Sequence, residues 1–549
     1  STLYGGGSGA PLSGLLNIVS LDLAPEFGGS VGLRAGSFST YGADADVSVP
    51  LGANAGLRLS GMVESAESYI DFLSSDRYGI FPTLAVDLTP DTHLVVRARH
   101  SHIEQTEYVG LPAEVVIAPD LGVNRFTYIG ASDAPRNWIE NTHLNASLTH
   151  AFTDRISANL SVAYLDSAYE EWGAFTYGQL GPTQFNIGNA FLPSDTQKTF
   201  VTASATFGFN TGAVSHTLLI GADYDKTDYF GAMYFNTSIG VVDLALPNPT
   251  LPYGPVPPLF FDQVDTLETA ALYVQDQIAV GDRLDVTMGL RWTKLDINSV
   301  TAGLETDDTA YRLIPRIGVT YRIADGVSLF AGYAEGFQGL VGYGFYGFTP
   351  KPETSQAYEA GLKFAAPIKG LTGTVAFYRI TRQNVATPNP DNPFLYVQTG
   401  EQRAQGFELD LVYEPSSNFS LLASYAFTDA EISEDNALPV GDQLRAVPRH
   451  SGRIAARYRF DDATFKGLEI GAGLTAVSSR ELTMPNTISV DGSVLFDLQV
   501  AYDFGPAALG LSVVNLTDED AYAPYQYFGL AIVQPVQPLS AFVTLRAEF

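Results

Sequence analysis

The amino-acid sequence predicts an all-β protein, a transmembrane antiparallel β-barrel of about 22 strands with short periplasmic turns and long extracellular loops. Three observations support this fold class. Apolar and polar residues alternate along most of the chain, its connections alternate between short and long, and its composition is unusual for a soluble protein. The 549 residues include 52 Gly and 12% aromatic residues but only 16% charged residues, whereas soluble domains average about 25% charged residues.

The alternation is clearest at the end of the chain. Val543, Leu545 and Phe549 fall on one face of a strand, with Thr544 and Glu548 on the other. Side chains of a strand alternate between its two faces, so this pattern predicts one apolar and one polar face. Segments with the same pattern occur from about residue 28 to the end. A terminal Phe549 that closes such a strand matches the assembly signal of outer-membrane barrels.

The connections differ in length at the two ends of the predicted strands. Short turns are expected at 52–56, 89–92, 153–155, 281–283, 324–326, 415–418 and 504–508. Long loops are expected at roughly 108–136, 171–197, 230–263, 338–354, 384–400, 433–448 and 521–537. Backbone polar groups cannot remain unpaired in hydrocarbon, so a sheet that spans a bilayer must close on itself. We therefore favour a transmembrane barrel over a secreted β-solenoid or multi-sandwich protein.

Charge and residue usage exclude several classes of function. The chain has 30 Lys and Arg against 60 Asp and Glu, a net charge of −30, which argues against nucleic-acid binding. It contains no Cys, which removes disulfides, thiolate metal sites and Cys nucleophiles. No HExxH spacing occurs, and no run of about 18 apolar residues could form a membrane-spanning helix. We predict a protein that is not an enzyme, with no catalytic residues, metal site or resident cofactor.

Several segments, taken in order, resemble the siderophore-receptor branch of the TonB-dependent outer-membrane receptors. The segments are LYGGGSGAPLSGLLNIVS, RAGSFSTYGADADVSVPL, ALYVQDQIAVGDRLDVTMGLRW, IPRIGVTYRIADGVSLFAGYAEGF, PETSQAYEAGLKF, FYRITRQNV, QGFELDLVYEP, VPRHSGRIAARYRF and VVNLTDEDAY. The resemblance implies two parts, the last piece of a plug domain at 1–25 and the barrel at 26–549. Most of the plug that the family carries is missing, and we expect an excerpt or an incomplete chain rather than a plugless barrel.

The resemblance also implies location, partners and cargo. It places the protein in the outer membrane of a Gram-negative bacterium, in contact with lipid and lipopolysaccharide. It implies the barrel-assembly machinery as a partner, and the TonB–ExbB–ExbD complex through a TonB box that this sequence lacks. The cargo would be a small-molecule ferric chelate, with iron present only as part of that cargo.

Aromatic residues in the long loops are the candidate ligand contacts, because their large rigid faces suit a partly apolar cargo. An aromatic girdle at the lipid interface is the alternative for some of them. The candidates are Trp172, Phe175, Tyr177, Tyr234, Phe235, Phe261, Tyr343, Phe345, Tyr346, Tyr525, Tyr527 and Phe528. Acidic clusters could bind calcium but are more often solvated loop charges; they are Asp518–Glu519–Asp520, Asp307–Asp308 and Glu434–Asp435.

The loops are poor in Lys and Arg, which favours a neutral, hydroxamate-like ferric chelate over a polyanionic catecholate chelate. Five arginines would weaken this argument if they faced the mouth: Arg125, Arg136, Arg379, Arg382 and Arg445. The function predicted is TonB-driven uptake of a ferric siderophore. The alternatives are TonB-dependent uptake of an aromatic compound, cobalamin or a glycan, and a passive pore or structural barrel subunit.

Overall fold

The computed structural model describes residues 9–10, 12, 23, 26–117, 121–341, 350–365, 368–389, 392–461, 464–527 and 530–549. Within these residues the chain forms 28 strands and one short helix, α1 (Ala113–Val116). The strands are β1 (Gly9–Ala10), β2 (Gly28–Gly36), β3 (Thr40–Pro50), β4 (Ala55–Glu67), β5 (Ser74–Thr89), β6 (Thr92–Gln105), β7 (Leu111–Pro112), β8 (Asn137–Thr153), β9 (Ile156–Gln179), β10 (Gln184–Thr211), β11 (Val214–Asp243), β12 (Leu259–Val280), β13 (Leu284–Thr301), β14 (Leu304–Ala324), β15 (Val327–Gln338), β16 (Glu353–Phe364), β17 (Leu371–Asn389), β18 (Asn392–Ser416), β19 (Phe419–Glu434), β20 (His450–Arg459), β21 (Leu468–Val477), β22 (Arg480–Glu481), β23 (Ser489–Val490), β24 (Ser493–Asp503), β25 (Ala507–Val514), β26 (Tyr522–Tyr527), β27 (Leu530–Pro535) and β28 (Ser540–Glu548).

Twenty-two of the described strands form one closed antiparallel barrel, so the predicted fold class is confirmed. These are β2–β6, β8–β21, β24, β25 and β28. Each strand pairs with the next barrel strand along the chain, and β28 closes the barrel by pairing with β2, for example Leu545 with Leu33. Closure leaves no lateral edge along the paired segments, which is the condition for a sheet that spans a bilayer.

The two faces of the wall follow the predicted alternation. Leu33, Leu545 and Leu509 are partners across three strands, and they are 53%, 44% and 43% exposed on the outside of the barrel. The neighbouring Arg34 and Arg546 point to the opposite, luminal face, where they contact Glu64 and Asp44. An apolar exterior and a charged interior are the pattern of a transmembrane barrel.

Among the described residues, no helix has the length and apolar character needed to cross a membrane.

Outward aromatic rings mark the upper membrane boundary. We call the set on strands β15–β20 the outer aromatic belt: Tyr333, Tyr358, Phe377, Phe407, Tyr425, Phe427 and His450. On another sector, Trp292 and Tyr311 stack at 6.1 Å and are 41% and 61% exposed. Such rings concentrate where the hydrocarbon meets the headgroups, so the residues beyond them lie outside the membrane.

The predicted short turns lie at one end of the barrel. The long connections lie at the other end, which also has tight turns at 37–39, 180–183 and 302–303. Several predicted loops, however, are largely strand. β9, β10 and β11 contain 24, 28 and 30 residues, against about 10–11 needed to cross a bilayer. The hairpin predicted as a loop at 171–197 narrows to a turn at 180–183, and 230–243 and most of 384–400 are also strand. The wall therefore rises well above the membrane on this side.

The predicted plug remnant, 1–25, lies almost wholly outside the described residues. Gly9 and Ala10 pair with Gln338 and Phe337 of β15. The domain boundary at residue 25 stays a prediction.

Candidate ligand-binding mouth

Long extracellular segments pack together above one sector of the barrel. We call the described parts of 106–136, 244–258, 478–492 and 515–539 the canopy. Its centre is a three-stranded sheet in which β27 pairs with both β26 and β7. Val533, in the connection that enters β28, pairs with Leu111, in the connection that follows β6. Strands β28 and β6 are five positions apart around the barrel. The canopy is thus one packed unit and not a set of independent loops.

Buried apolar side chains hold the canopy together. Val533 and Ala113 are fully buried and pack with Leu482 and Val490 of the segment 478–492. A second cluster joins Leu111, Val115 and Ile129 to Ile187 of the tall β9–β10 hairpin and to Tyr253. These contacts link segments that are far apart in the sequence, so sequence periodicity does not predict them.

Side chains at the rim anchor the canopy to the wall. The Tyr69 hydroxyl donates to the carbonyl of Pro535 at 2.7 Å, and the Tyr69 ring meets Phe126 edge-on at 5.6 Å. Arg125 forms an ion pair with Asp520. All three contacts join 106–136 and 515–539 to one another or to the short connection after β4.

Three of the predicted ligand contacts, Tyr177, Phe235 and Phe261, belong to one chain of neighbouring aromatic rings on the tall strands β9, β11 and β12. Tyr177 meets Phe235 edge-on at 5.3 Å, Phe235 meets Phe260 at 6.1 Å, and Phe260 meets Phe261 at 5.8 Å. We call these four residues the aromatic wall. Tyr177 and Phe260 are 44% and 64% exposed. Phe260 was not among the predicted contacts, although its place beside Phe261 in the sequence could have suggested it.

Trp172 and Tyr234 lie on the strand face opposite Phe235. Trp172 stacks on Phe191 at 3.9 Å and meets Tyr253 edge-on at 5.8 Å. Tyr234 contacts Phe191 at 5.5 Å. Side chains one residue apart on a strand point in opposite directions, so Tyr234 points away from Phe235. Trp172 lies on the side of Tyr234 and packs against Tyr253 of the canopy.

The remaining predicted contacts are distributed differently. Phe175 is 1% exposed and packs with Val109, Ala190 and Ile532, so in this structure it offers no surface to a ligand. Tyr525 lies on β26 and is 37% exposed. The predicted contacts Tyr343, Phe345, Tyr346 and Phe528, and the side chain of Tyr527, lie outside the described residues.

Phe549 ends the barrel at its short-turn end. Its backbone N–H and carbonyl both bond to Gly29, at 3.0 and 2.8 Å, and its exposed ring contacts Phe27 at 6.1 Å. The proposed assembly signal stays a prediction.

Acidic and polar side chains connect the canopy segment 106–136 to the strands β8 and β9. The Asn137 amide donates to the carboxylate of Glu107 and accepts the backbone N–H of Trp172 at 2.6 Å. Tyr169 donates to Glu171 at 2.5 Å. Burial, and secondly the nearby carboxylate of Glu171, raise the pKa of Glu107 to about 7, against a partly opposing effect of the Asn137 hydrogen bond. Glu107 therefore binds its proton more tightly in the packed canopy than in an open chain.

This pKa predicts that the canopy loosens as pH rises. Between an ordinary carboxyl pKa of 4.5 and about 7 the packed form holds the extra proton, so stability is lost through that window. Glu107→Gln removes the titration and keeps an acceptor for Asn137. Hydrogen exchange should show higher protection of 106–117 in Glu107→Gln than in the unmodified protein at pH 8, and equal protection at pH 5. Equal protection at both pH values would contradict the assignment.

The arginines that could have made the mouth basic are mostly engaged or point away. Arg136 pairs with Asp76 at 2.7 Å, and Arg125 and Arg382 pair with Asp520 and Glu353. Arg379 faces outward, on the register of Gln405 in β18. Arg445 is partly buried, which lowers its pKa.

Acidic residues considered for calcium have local partners. Asp307 accepts a hydrogen bond from Asn298 at 2.7 Å, and Asp435 accepts the backbone N–H groups of Ala437 and Leu438. In the described part of the chain, no group of three or more potential metal-ligating side chains is assembled.

Comparison with protein families decides the identity of this barrel. Residues 107–516 match the family described as TonB dependent receptor-like, beta-barrel. The chain belongs to the TonB-dependent receptor family. It is an outer-membrane β-barrel of a Gram-negative bacterium, as the sequence analysis predicted.

Three curated relatives of this TonB-dependent receptor match nearly the whole chain. The metal-pseudopaline receptor CntO of Pseudomonas aeruginosa is 27% identical over 100% of this chain and 79% of its own length. The ferrioxamine B receptor of Salmonella typhimurium is 27% identical over 96% and 77%. The ferrichrome outer membrane transporter/phage receptor of Escherichia coli is 26% identical over 95% and 74%. The resemblance to the siderophore-receptor branch is confirmed.

Solved structures share the fold. The siderophore receptor PiuA from Acinetobacter baumannii has a TM-score of 0.87 at 19% identity, over 96% of this chain and 82% of its own. The ferric-catecholate import receptor Fiu from E. coli, in its closed form, has a TM-score of 0.88 at 18% identity, over 99% and 85%. The relatives and structural neighbours are transport receptors and not enzymes.

Proposed function

We propose that this receptor takes up a ferric siderophore across the outer membrane, with a neutral, hydroxamate-like chelate as the preferred cargo. The observation that carries the proposal is the exposed aromatic wall, which stands at the long-loop end of a barrel of this family. Aromatic faces contact the apolar parts of a chelate and leave its polar groups to solvent or hydrogen bonds.

Charge supports the choice of a neutral chelate. Three of the five arginines near the mouth are bound to carboxylates and Arg379 faces outward. A tris-catecholate chelate carries several negative charges, and it would gain from clustered cations that are not already paired. The names of two relatives, the receptors for ferrioxamine B and ferrichrome, point to the same chemical class.

The energy source and the remaining partners belong to the same proposal. We infer that TonB, with ExbB and ExbD, drives uptake through an N-terminal box and a plug whose last part is 1–25. The barrel-assembly machinery would recognise Phe549 at the end of the last strand. The barrel binds no resident cofactor in this scheme, and iron enters as cargo.

Uptake of labelled iron by cells tests this function. Cells that express the full-length gene at low iron should accumulate iron from a neutral trihydroxamate chelate, and deletion of the gene or of tonB should abolish the difference. A tris-catecholate chelate should be taken up at least about tenfold more slowly. Equal uptake with and without the gene for every chelate would refute siderophore transport. Uptake of neutral chelates that persists without tonB would favour a passive pore.

The aromatic wall should set affinity for the chelate. We expect Tyr177→Ala/Phe260→Ala to weaken binding about 30- to 900-fold, since each ring contributes on the order of 1–2 kcal/mol. Phe377→Ala, an equally exposed ring on the outer aromatic belt, is the matched control and should bind normally. Titration of each purified variant with the chelate, followed by intrinsic fluorescence, measures both affinities. Unchanged affinity in the double variant would show that the aromatic wall is not part of the binding site.

One relative, CntO, is a receptor for metal-pseudopaline, so the binding titration should also include chelates of other metals. The same titration with chelates of zinc or nickel would show whether the cargo metal is limited to iron.

A further inference from the structure

A cleft of about 460 Å³ opens at the extracellular end of β17, β18 and β19. It is formed by the upper ends of these strands, by the connection 435–449 between β19 and β20, and by Met484 of the canopy segment 478–492. Val385 of the cleft lies eight residues beyond the belt ring Phe377 on β17, so the cleft is outside the membrane. Its volume is within the range of about 300–1,000 Å³ that is usual for small-molecule sites.

Arg445 lines this cleft as a cation without an anionic partner. Its Nε is buried and has no hydrogen-bond partner among the described residues, and within them Arg445 forms no ion pair. Two other arginines of this sector differ, since Arg403 pairs with Glu431 and Arg449 lies 3.8 Å from Asp429. Burial lowers the pKa of Arg445, because the guanidinium has lost contact with water and no nearby anion compensates for it. An anion bound in the cleft would provide that compensation.

The backbone on both sides of Arg445 is held by hydrogen bonds. The N–H of Leu444 donates to the carbonyl of Ala430 in β19 at 2.9 Å, and the N–H of Ala446 donates to the carbonyl of Glu481 in β22 at 2.8 Å. The connection 435–449 is thereby attached to the barrel on one side and to the canopy on the other. Arg445 is therefore positioned before any ligand arrives, which reduces the entropy that binding would cost.

Most of the other side chains that line the cleft are apolar: Val385, Tyr396, Ile432, Leu438, Leu444 and Met484. Two carboxylates also line it, but local donors hold them. Glu401 accepts hydrogen bonds from Gln383 at 3.0 Å and from Ser433 at 2.9 Å. Asp435 accepts two backbone N–H groups of its own loop. The cleft thus presents one unpaired cation beside a mainly apolar surface.

We propose that this cleft binds a small amphipathic carboxylate, a ligand with one carboxylate group and an apolar body. The planar fork of Arg445 matches the two oxygens of a carboxylate, and the apolar body packs against Leu438, Leu444 and Met484. A phosphate group would leave its second negative charge uncompensated among apolar side chains. The cleft lies on β17–β19 and the aromatic wall on β9, β11 and β12, so this inference is independent of the cargo proposed above.

Binding of a simple probe to the purified receptor in lipid nanodiscs tests the proposal. The probe is 4-phenylbutyrate, its uncharged amide is the reference compound, and calorimetric titration is corrected with empty nanodiscs. We expect Arg445→Gln to bind the carboxylate about 10- to 100-fold more weakly, since it loses the charge-assisted hydrogen bonds. Arg445→Lys should keep part of the affinity, because it retains the charge without the planar fork. The amide should bind the unmodified protein no better than it binds Arg445→Gln.

The matched control is Arg449→Gln, on the same connection, where the arginine side chain is 55% exposed. This control should bind the probe as the unmodified protein does, and heat-modifiable migration on gels would show that each variant is folded. Full binding by Arg445→Gln, an equal loss in the control, or equal binding of the amide and the carboxylate would overturn the proposal. A ferric chelate with one free carboxylate arm offers the same chemistry and should not compete. Displacement of the probe by that chelate, and not by its amide, would overturn the assignment to a free ligand in favour of an arm of the cargo.

Discussion

A disulfide between positions 111 and 533 should reduce uptake at least about tenfold. Leu111 and Val533 are directly paired between β7 and β27, and opposed residues of an antiparallel pair have Cα atoms about 4.5–5.5 Å apart, which a disulfide can bridge. The oxidised Leu111→Cys/Val533→Cys protein would be unable to separate the two main canopy segments. If cargo reaches the lumen by separating them, the crosslink closes that route.

The chain offers a clean background for this experiment because it contains no Cys. Labelled chelate uptake would be compared before and after a reductant, with each single variant as a control. Reduction should restore uptake, which separates the crosslink from any loss of packing at these buried positions. Full uptake by the oxidised protein would show that cargo enters through another sector of the mouth.

Loss of Arg291 should destabilise the barrel by about 3–5 kcal/mol. Its guanidinium donates hydrogen bonds to both carboxylate oxygens of Asp223, at 2.6 and 2.9 Å. Both side chains are almost fully buried on the inner wall of the barrel. Arg291→Met leaves the Asp223 carboxylate buried without its cation. Breaking a buried pair in this way is far more costly than replacing both partners by apolar groups.

The double variant Asp223→Leu/Arg291→Met separates the cost of an unpaired buried carboxylate from the cost of lost packing. It should recover most of the lost stability, as measured by urea unfolding in detergent with tryptophan fluorescence. Lys294→Gln breaks an exposed pair with Asp296 and should leave the urea midpoint of unfolding almost unchanged. A double variant as unstable as Arg291→Met would show that the guanidinium acts through packing, not through charge.

The barrel could be predicted from the sequence because its main constraint is local. Each strand must present an apolar face to lipid, so the alternation around Leu545 or Ile454 is visible without knowledge of any distant partner. The loop prediction at 171–197 was largely wrong for an equally local reason. Gly178 adopts a positive φ of 101° and the register shifts near Ile187, and these irregularities interrupt the alternation although pairing continues beyond them.

The mouth could be predicted only in part. Tyr177 and Phe175 are aromatic residues two positions apart on one strand. Tyr177 is exposed, whereas Phe175 is only 1% exposed. The difference arises because Val109 and Ile532 cover Phe175, and both belong to segments remote in the sequence. Composition identifies aromatic residues near the mouth, but long-range packing decides which of them a ligand can reach.

The tall hairpins have a consequence for how this receptor can diversify. Pairing between β9 and β10 runs without a register shift from Ile156 to Thr176, directly below Tyr177 of the aromatic wall. Inserting or deleting one residue in this stem would turn each following side chain to the opposite side. New recognition properties should therefore arise here by exchange of single side chains, whereas changes in length are tolerated in the turn at 180–183. Related receptors with different cargo preferences would be expected to keep the height of this hairpin's paired stem and vary its inward-facing residues.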